Sequence, residues 1–151
     1  MKNAVRVLSL VLVLVMAATM FVSCSNKYSK LQKAFEDKGY EENTALEDTS
    51  NKIKAELEKD NLAVELHLLT KKSNGLSSVL IVEFKSTDDM IKAYNDSETI
   101  KGLVKDISSN EDAQKVYDAL KNAGYANGNC LCIPLSLLYV NEITNIVKSV
   151  K

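Results

Sequence analysis

Two stretches of this chain alternate apolar and polar residues with a period of two, and a short polar run separates them. Leu62, Val64, Leu66 and Leu68 fall on one side of an extended segment, while Ala63, Glu65 and His67 face the other way. Over residues 79–85, Leu80, Val82 and Phe84 repeat the pattern. Between the two lies Lys71-Lys72-Ser73-Asn74-Gly75, whose Asn-Gly pair favours a tight hairpin turn. A helix has a period of 3.6 residues and would scatter such a pattern around its axis. The chain is therefore committed to an antiparallel hairpin with one apolar face that other elements must cover.

The covering elements are predicted from spacings of three and four. Tyr28, Leu31, Ala34 and Phe35 give a helix to about Lys38, with Gly39 as a left-handed terminator and Tyr40 folded back over the last turn. A second helix starts at Thr44, where Thr44 and Glu47 fit a capping box; it carries Leu46, Ser50, Ile53 and Leu57 inward and stops near Asp60-Asn61. Ser86 with Asp89 caps a third helix bearing Met90, Ile91 and Tyr94, and Ile100, Leu103, Val104 and Ile107 mark a short fourth. Asn110 caps a fifth, with Ala113, Val116, Tyr117 and Leu120 inward and Gly124 beyond its end. A third strand is expected over residues 129–134 and a last helix over residues 139–150, on Ile143, Ile146 and Val147. The predicted fold class is α+β: a small antiparallel sheet of about three strands with helices packed on it, in a ferredoxin-like arrangement. The segments Ala34-Phe35-Glu36-Asp37-Lys38-Gly39-Tyr40 and Ala119-Leu120-Lys121-Asn122-Ala123-Gly124-Tyr125 echo one another. They read as two helices sharing one terminator, with a duplicated helix-then-strand half as the alternative.

Composition narrows the function. The formal net charge is −1, with 19 basic and 20 acidic residues, so no basic face for nucleic acid is expected. The glycines Gly75, Gly102, Gly124 and Gly128 are scattered and form no phosphate-cradling loop, and no cofactor is expected. Cys130-Leu131-Cys132 places two thiols on one side of a strand. Three readings stand for them: buried apolar residues, a redox pair, or half of a metal site. The first is preferred, because extended neighbours suit a disulfide poorly and His67 is the only imidazole available for a metal. His67, two residues from Glu65, reads as a half-exposed strand residue rather than a general base. Asp88 and Asp89 read as helix-start carboxylates rather than a catalytic pair. Catalytic and metal sites are accordingly not predicted.

The N-terminus supplies the address. Lys2 and Arg6 precede an apolar run over residues 7–22, which closes on Phe21-Val22-Ser23-Cys24. A run of 16 residues falls short of the ~20 needed to span a bilayer. Basic start, apolar centre, small residue and cysteine in this order resemble the lipobox leader of bacterial lipoproteins. The resemblance implies a diacylglyceryl group on the Cys24 thiol and cleavage of residues 1–23. Two acyl chains suffice for stable attachment. Residues 24–28 are then a lipidated end and short tether, and residues 29–151 one domain. The expectation is a lipid-anchored protein on the extracytoplasmic face of the cell membrane, part of the cell envelope. It would act without catalysis, binding a protein or small-molecule partner. The alternative is a thiol-dependent envelope protein using Cys130 and Cys132.

Overall fold

The computed structural model describes residues 25–44, 47–105 and 112–151. In chain order its elements are α1 (Ser25–Glu36), β1 (Tyr40–Glu42), α2 (Glu47–Lys59), β2 (Val64–Lys71), β3 (Asn74–Phe84), α3 (Thr87–Asp96), α4 (Glu98–Val104), α5 (Ala113–Ala123), β4 (Ala126–Asn127), β5 (Cys130–Pro134), a 3-10 turn (Leu137–Tyr139) and α6 (Val140–Ser149). The expected hairpin lies at the centre: Leu66 stands opposite Val82 and Leu68 opposite Leu80. The sheet has five strands in the order β1-β2-β3-β5-β4, and every neighbouring pair is antiparallel. Two strands exceed the expectation. β1 has three residues and β4 two, too few to show a period of two in sequence.

Helices cover both faces of this sheet. On one face, Leu57 of α2, Met90 and Ala93 of α3, Ile100 and Val104 of α4 and Leu120 of α5 pack on Val64, Leu80, Val82, Phe84 and Leu131. On the other, Leu31 and Phe35 of α1 and Ile143, Ile146 and Val147 of α6 pack on Leu69, Val79, Ile81, Cys130 and Cys132. Residues such as Ile81, Phe35 and Ile143 are fully buried, each contributing about 1.5–3 kcal/mol of apolar transfer free energy. The central strand β3 is buried on both sides, which is why its residues Val79, Leu80, Ile81 and Val82 form a continuous apolar run.

The ferredoxin-like expectation is corrected by the pairing. That topology separates the two strands of each β-α-β unit by another strand. Here the strands flanking α2 are direct antiparallel neighbours, with Tyr40 opposite Lys71 and Glu42 opposite Leu69. The turn is also corrected. The hairpin reverses at Lys72-Ser73, with Lys71 opposite Asn74, and a register shift between Thr70 and Lys71 leaves Gly75-Leu76-Ser77 as extra residues on β3. Tyr40 does pack back on Phe35, edge to face at 5.1 Å, yet it also opens β1. Residues 25–28, expected as a tether, are the first turn of α1.

α2 begins at Glu47, three residues after the expected start at Thr44, whereas the cap at Ser86 is as expected. Ser86 accepts a hydrogen bond from the Asp89 amide at 3.1 Å, and Ser97 does the same for Ile100. Asp112 caps α5, accepting from Gln114 and Lys115; Asn110, the expected cap, lies outside the described residues, as do Leu46 and Ile107. The side chain of Ser50 is likewise outside what is described. Gly39 and Gly124 both adopt the left-handed conformation and both lead into an edge strand, at opposite edges of the sheet. The echoed segments thus build two helix-to-edge-strand units, one packed on each face.

Candidate functional site

The polar residues of the β2–β3 hairpin gather on the face covered by α1. Period two puts Glu65, His67 and Leu69 on that side of β2. Register then sets Glu65 directly opposite Glu83, and His67 opposite Ile81. β1 adds Glu42 from the neighbouring edge. The imidazole of His67 is only 14% exposed and stands among these carboxylates: Nε2 lies 3.3 Å from Glu83 and 4.0 Å from Glu65, and Nδ1 lies 3.6 Å from Glu42. The donor atoms of Glu65, His67 and Glu83 all fall within 4.8 Å of one another.

Helix α1 closes this cluster. The Tyr28 ring stacks on the imidazole with centroids 3.6 Å apart and planes 16° from parallel. Its hydroxyl oxygen is buried and lacks a hydrogen-bond partner. Burial first, then the charges of Glu42 and Glu83, push the Tyr28 phenol well above its usual range. Glu83 is 11% exposed, and burial raises its carboxyl above the ordinary value. His67 opposes that rise, while the charge of Glu65 across the pair adds to it. Like charges directly opposite on adjacent strands are destabilising. The cluster therefore favours a positive charge or a proton among its oxygens.

Sequence reasoning found Glu65 and His67 as neighbours on one face but left His67 half-exposed and unassigned. Glu42, Glu83 and Tyr28 were missed. The signal for Glu83 is the hairpin register; for Tyr28 it is the helical period that already set this residue inward, toward a face then undefined.

The two thiols lie on the same side of β5, as expected, beneath α1 and α6. Both are fully buried, and no disulfide joins them. Burial pushes the Cys132 thiol up to about 12, so it is protonated at neutral pH and is a poor nucleophile. Cys132 lies across the ladder from Ile81 and Cys130 from Glu83, so the pair borders the carboxylate cluster without facing solvent. Asp88 and Asp89 are exposed at the start of α3, where Ser86 donates to the Asp89 carboxylate at 2.7 Å. Cys24 lies outside the described residues, directly before the start of α1.

The opposite end of the sheet is built differently. Lys71 pairs with Glu142 at 2.6 Å, and the Tyr40 hydroxyl meets both Glu142 and Ser77. Beside this network Leu76, Leu135, Leu137 and Leu138 are exposed, Leu137 at 93% and Leu138 at 81%. The Leu135 amide donates to the Ser78 carbonyl at 2.9 Å, and Asn74 donates to the Tyr139 hydroxyl, so the hairpin end and the β5–α6 connection form one surface. No family model, curated protein or solved structure matches this chain.

Proposed function

We propose that this protein is a lipid-anchored, extracytoplasmic binding module. It is held to the outer face of the cell membrane through Cys24 and acts by surface contact rather than by catalysis. The observation that carries this reading is the junction at residue 24: the lipobox-like leader closes on Cys24, and α1 begins at Ser25. Lipid and domain would then be joined with almost no slack. Among the described residues no helix is long and apolar enough to cross a membrane; in this reading the two acyl chains on Cys24 supply the attachment.

The junction also gives the domain a direction. α1 runs from Tyr28, over His67, to Phe35, which meets Tyr40 beside Lys71. Its 12 residues span about 18 Å. The carboxylate cluster lies toward the anchored end, and the leucine surface at the far end. Single exposed leucines are ordinary, but a group of them marks a contact surface. Facing away from the anchoring bilayer, this surface would take a protein partner with an apolar patch of its own.

Two features support binding over catalysis. The groups around His67 are carboxylates and a phenol, an arrangement suited to holding a cation or a proton. The thiols are sealed in the core. Mass spectrometry of the membrane-extracted protein tests the reading. The expected result is an N-terminus at Cys24 bearing a diacylglyceryl group, with Cys24→Ala accumulating unacylated. An unmodified chain beginning at Met1 in the cytosolic fraction overturns it.

A further inference from the structure

We propose that Glu65, His67 and Glu83 form a binding site for a divalent transition-metal cation of the zinc class. The argument is one of proton accounting around a single imidazole. Nδ1 of His67 faces Glu42 at 3.6 Å, and Nε2 faces Glu83 at 3.3 Å and Glu65 at 4.0 Å. A neutral imidazole carries one N–H and one lone pair. Whichever nitrogen holds the hydrogen, the other directs its lone pair at a carboxylate, which is repulsive. Two species remove the conflict: an added proton, or a cation shared by Nε2 and the two carboxylates.

Charge favours the cation. An imidazolium supplies one positive charge against the three carboxylates of Glu42, Glu65 and Glu83, and Glu83 is largely buried. A divalent ion bound by Glu65 and Glu83 neutralises both. It also leaves Nδ1–H on the side of Glu42, an exposed carboxylate 3.6 Å away that needs only a small side-chain shift to accept from it and so orient a metal-bound imidazole. Tyr28 supplies an observation outside the donor set. Its ring holds the imidazole plane by stacking, while its buried hydroxyl, under the charges of Glu42 and Glu83, has no hydrogen-bond partner. A metal-bound water is the kind of group that would meet such a hydroxyl.

The distances suit a small ion. In a tetrahedral zinc site, ligand atoms at about 2.0–2.1 Å from the metal stand about 3.4 Å apart. The Nε2–Glu83 separation of 3.3 Å already matches, and Glu65, 56% exposed, has room to close its 4.0 Å gap. One imidazole with two carboxylates fills three positions and leaves the fourth for water. An imidazole ligand favours zinc-like ions over calcium or magnesium, which prefer all-oxygen sites. The site is independent of the acylation of Cys24.

The chain has a single histidine, so its ring signals in an NMR spectrum are those of His67. The test titrates the purified full-length protein with Zn2+ while following those signals, with calorimetry in parallel. The expected result is saturation at one equivalent of micromolar zinc, with the ring resonances shifted and the melting temperature raised. Ca2+ and Mg2+ should bind at least tenfold more weakly. Glu83→Gln and His67→Gln, checked for folding by circular dichroism, should each weaken zinc binding at least tenfold, and Glu42→Gln should weaken it roughly 10–100-fold. Ring signals unmoved by millimolar zinc overturn the proposal without any variant. So does zinc affinity unchanged in folded His67→Gln, or equal affinity for calcium.

Discussion

At Gly124 one hydrogen atom decides whether two helices can meet. The residue ends α5 with φ +88°, and a Cβ there would stand 2.6 Å from the Thr144 carbonyl oxygen and 2.9 Å from the Thr144 Cβ of α6. Gly39 ends α1 with φ +83° but has nothing within 4 Å of the same position. The two glycines thus separate two penalties. Gly39→Ala adds left-handed strain alone, about 1–2 kcal/mol. Gly124→Ala adds that strain and an overpacked backbone contact, about 2–5 kcal/mol in sum. Urea denaturation of the two variants should rank them in that order; equal losses would mean that α6 yields freely. Glu142 makes a second case. The hydrogen bond from Lys71, then that from Tyr40, holds its carboxyl below the usual carboxylate range despite some desolvation. A depressed folded-state pKa gives stability that is present above the unfolded value of about 4.3 and is lost as pH falls through the folded one. The urea midpoint of the parent should therefore fall more steeply below pH 4 than that of Glu142→Gln. Parallel pH profiles would show that the pair is silent.

The turn of the β2–β3 hairpin is where two signals in the sequence conflict. A two-residue loop at Asn74-Gly75 would pair Ser73 with Leu76 and, continued, Glu65 with Phe84. That register sets the apolar face of one strand against the polar face of the other, because a slip of one residue reverses every side chain. The fold keeps the faces matched instead. It turns at Lys72-Ser73 and absorbs Gly75-Leu76-Ser77 as a bulge, which pairs Glu65 with Glu83. Burial of Leu66, Leu68, Leu80 and Val82 thus outweighs the local preference of an Asn-Gly pair. Gly75 accordingly lacks the positive φ of a type I′ turn, and nothing lies within 4 Å of its missing Cβ. Gly75→Ala should leave thermal stability unchanged or raise it by up to about 1 kcal/mol. A loss of that size would return the turn to Asn74-Gly75. The same conflict explains what was legible. The hairpin, the inward faces of α1, α5 and α6 and the buried thiols follow from period alone. The two edge strands are too short to carry a period. The carboxylate cluster depends on pairing between strands, and pairing depended on the turn.

For the whole molecule the consequence is polarity along α1. One end of the sheet carries the Glu42, Glu65, His67 and Glu83 cluster beneath Tyr28, close to the start of α1; the other carries the Lys71–Glu142 network and the exposed leucines. If the proposed anchor at Cys24 holds, α1, which starts at Ser25, leaves the leucine end the farther from the point of attachment. Leu137 and Leu138 are 93% and 81% exposed, so replacing them removes little packing; Leu137→Glu with Leu138→Glu should alter stability by no more than about 0.5 kcal/mol. Attachment and recognition then become separable. The double leucine variant should remain in the membrane fraction with an unchanged melting temperature, yet lose the protein crosslink formed by a photoreactive residue at Leu76. Cys24→Ala should do the reverse, keeping the fold and the leucine surface while leaving the acylated fraction. A leucine variant that detached from the membrane would place that surface in the bilayer instead. α1 would then lie flat along the membrane, and the partner would be lipid.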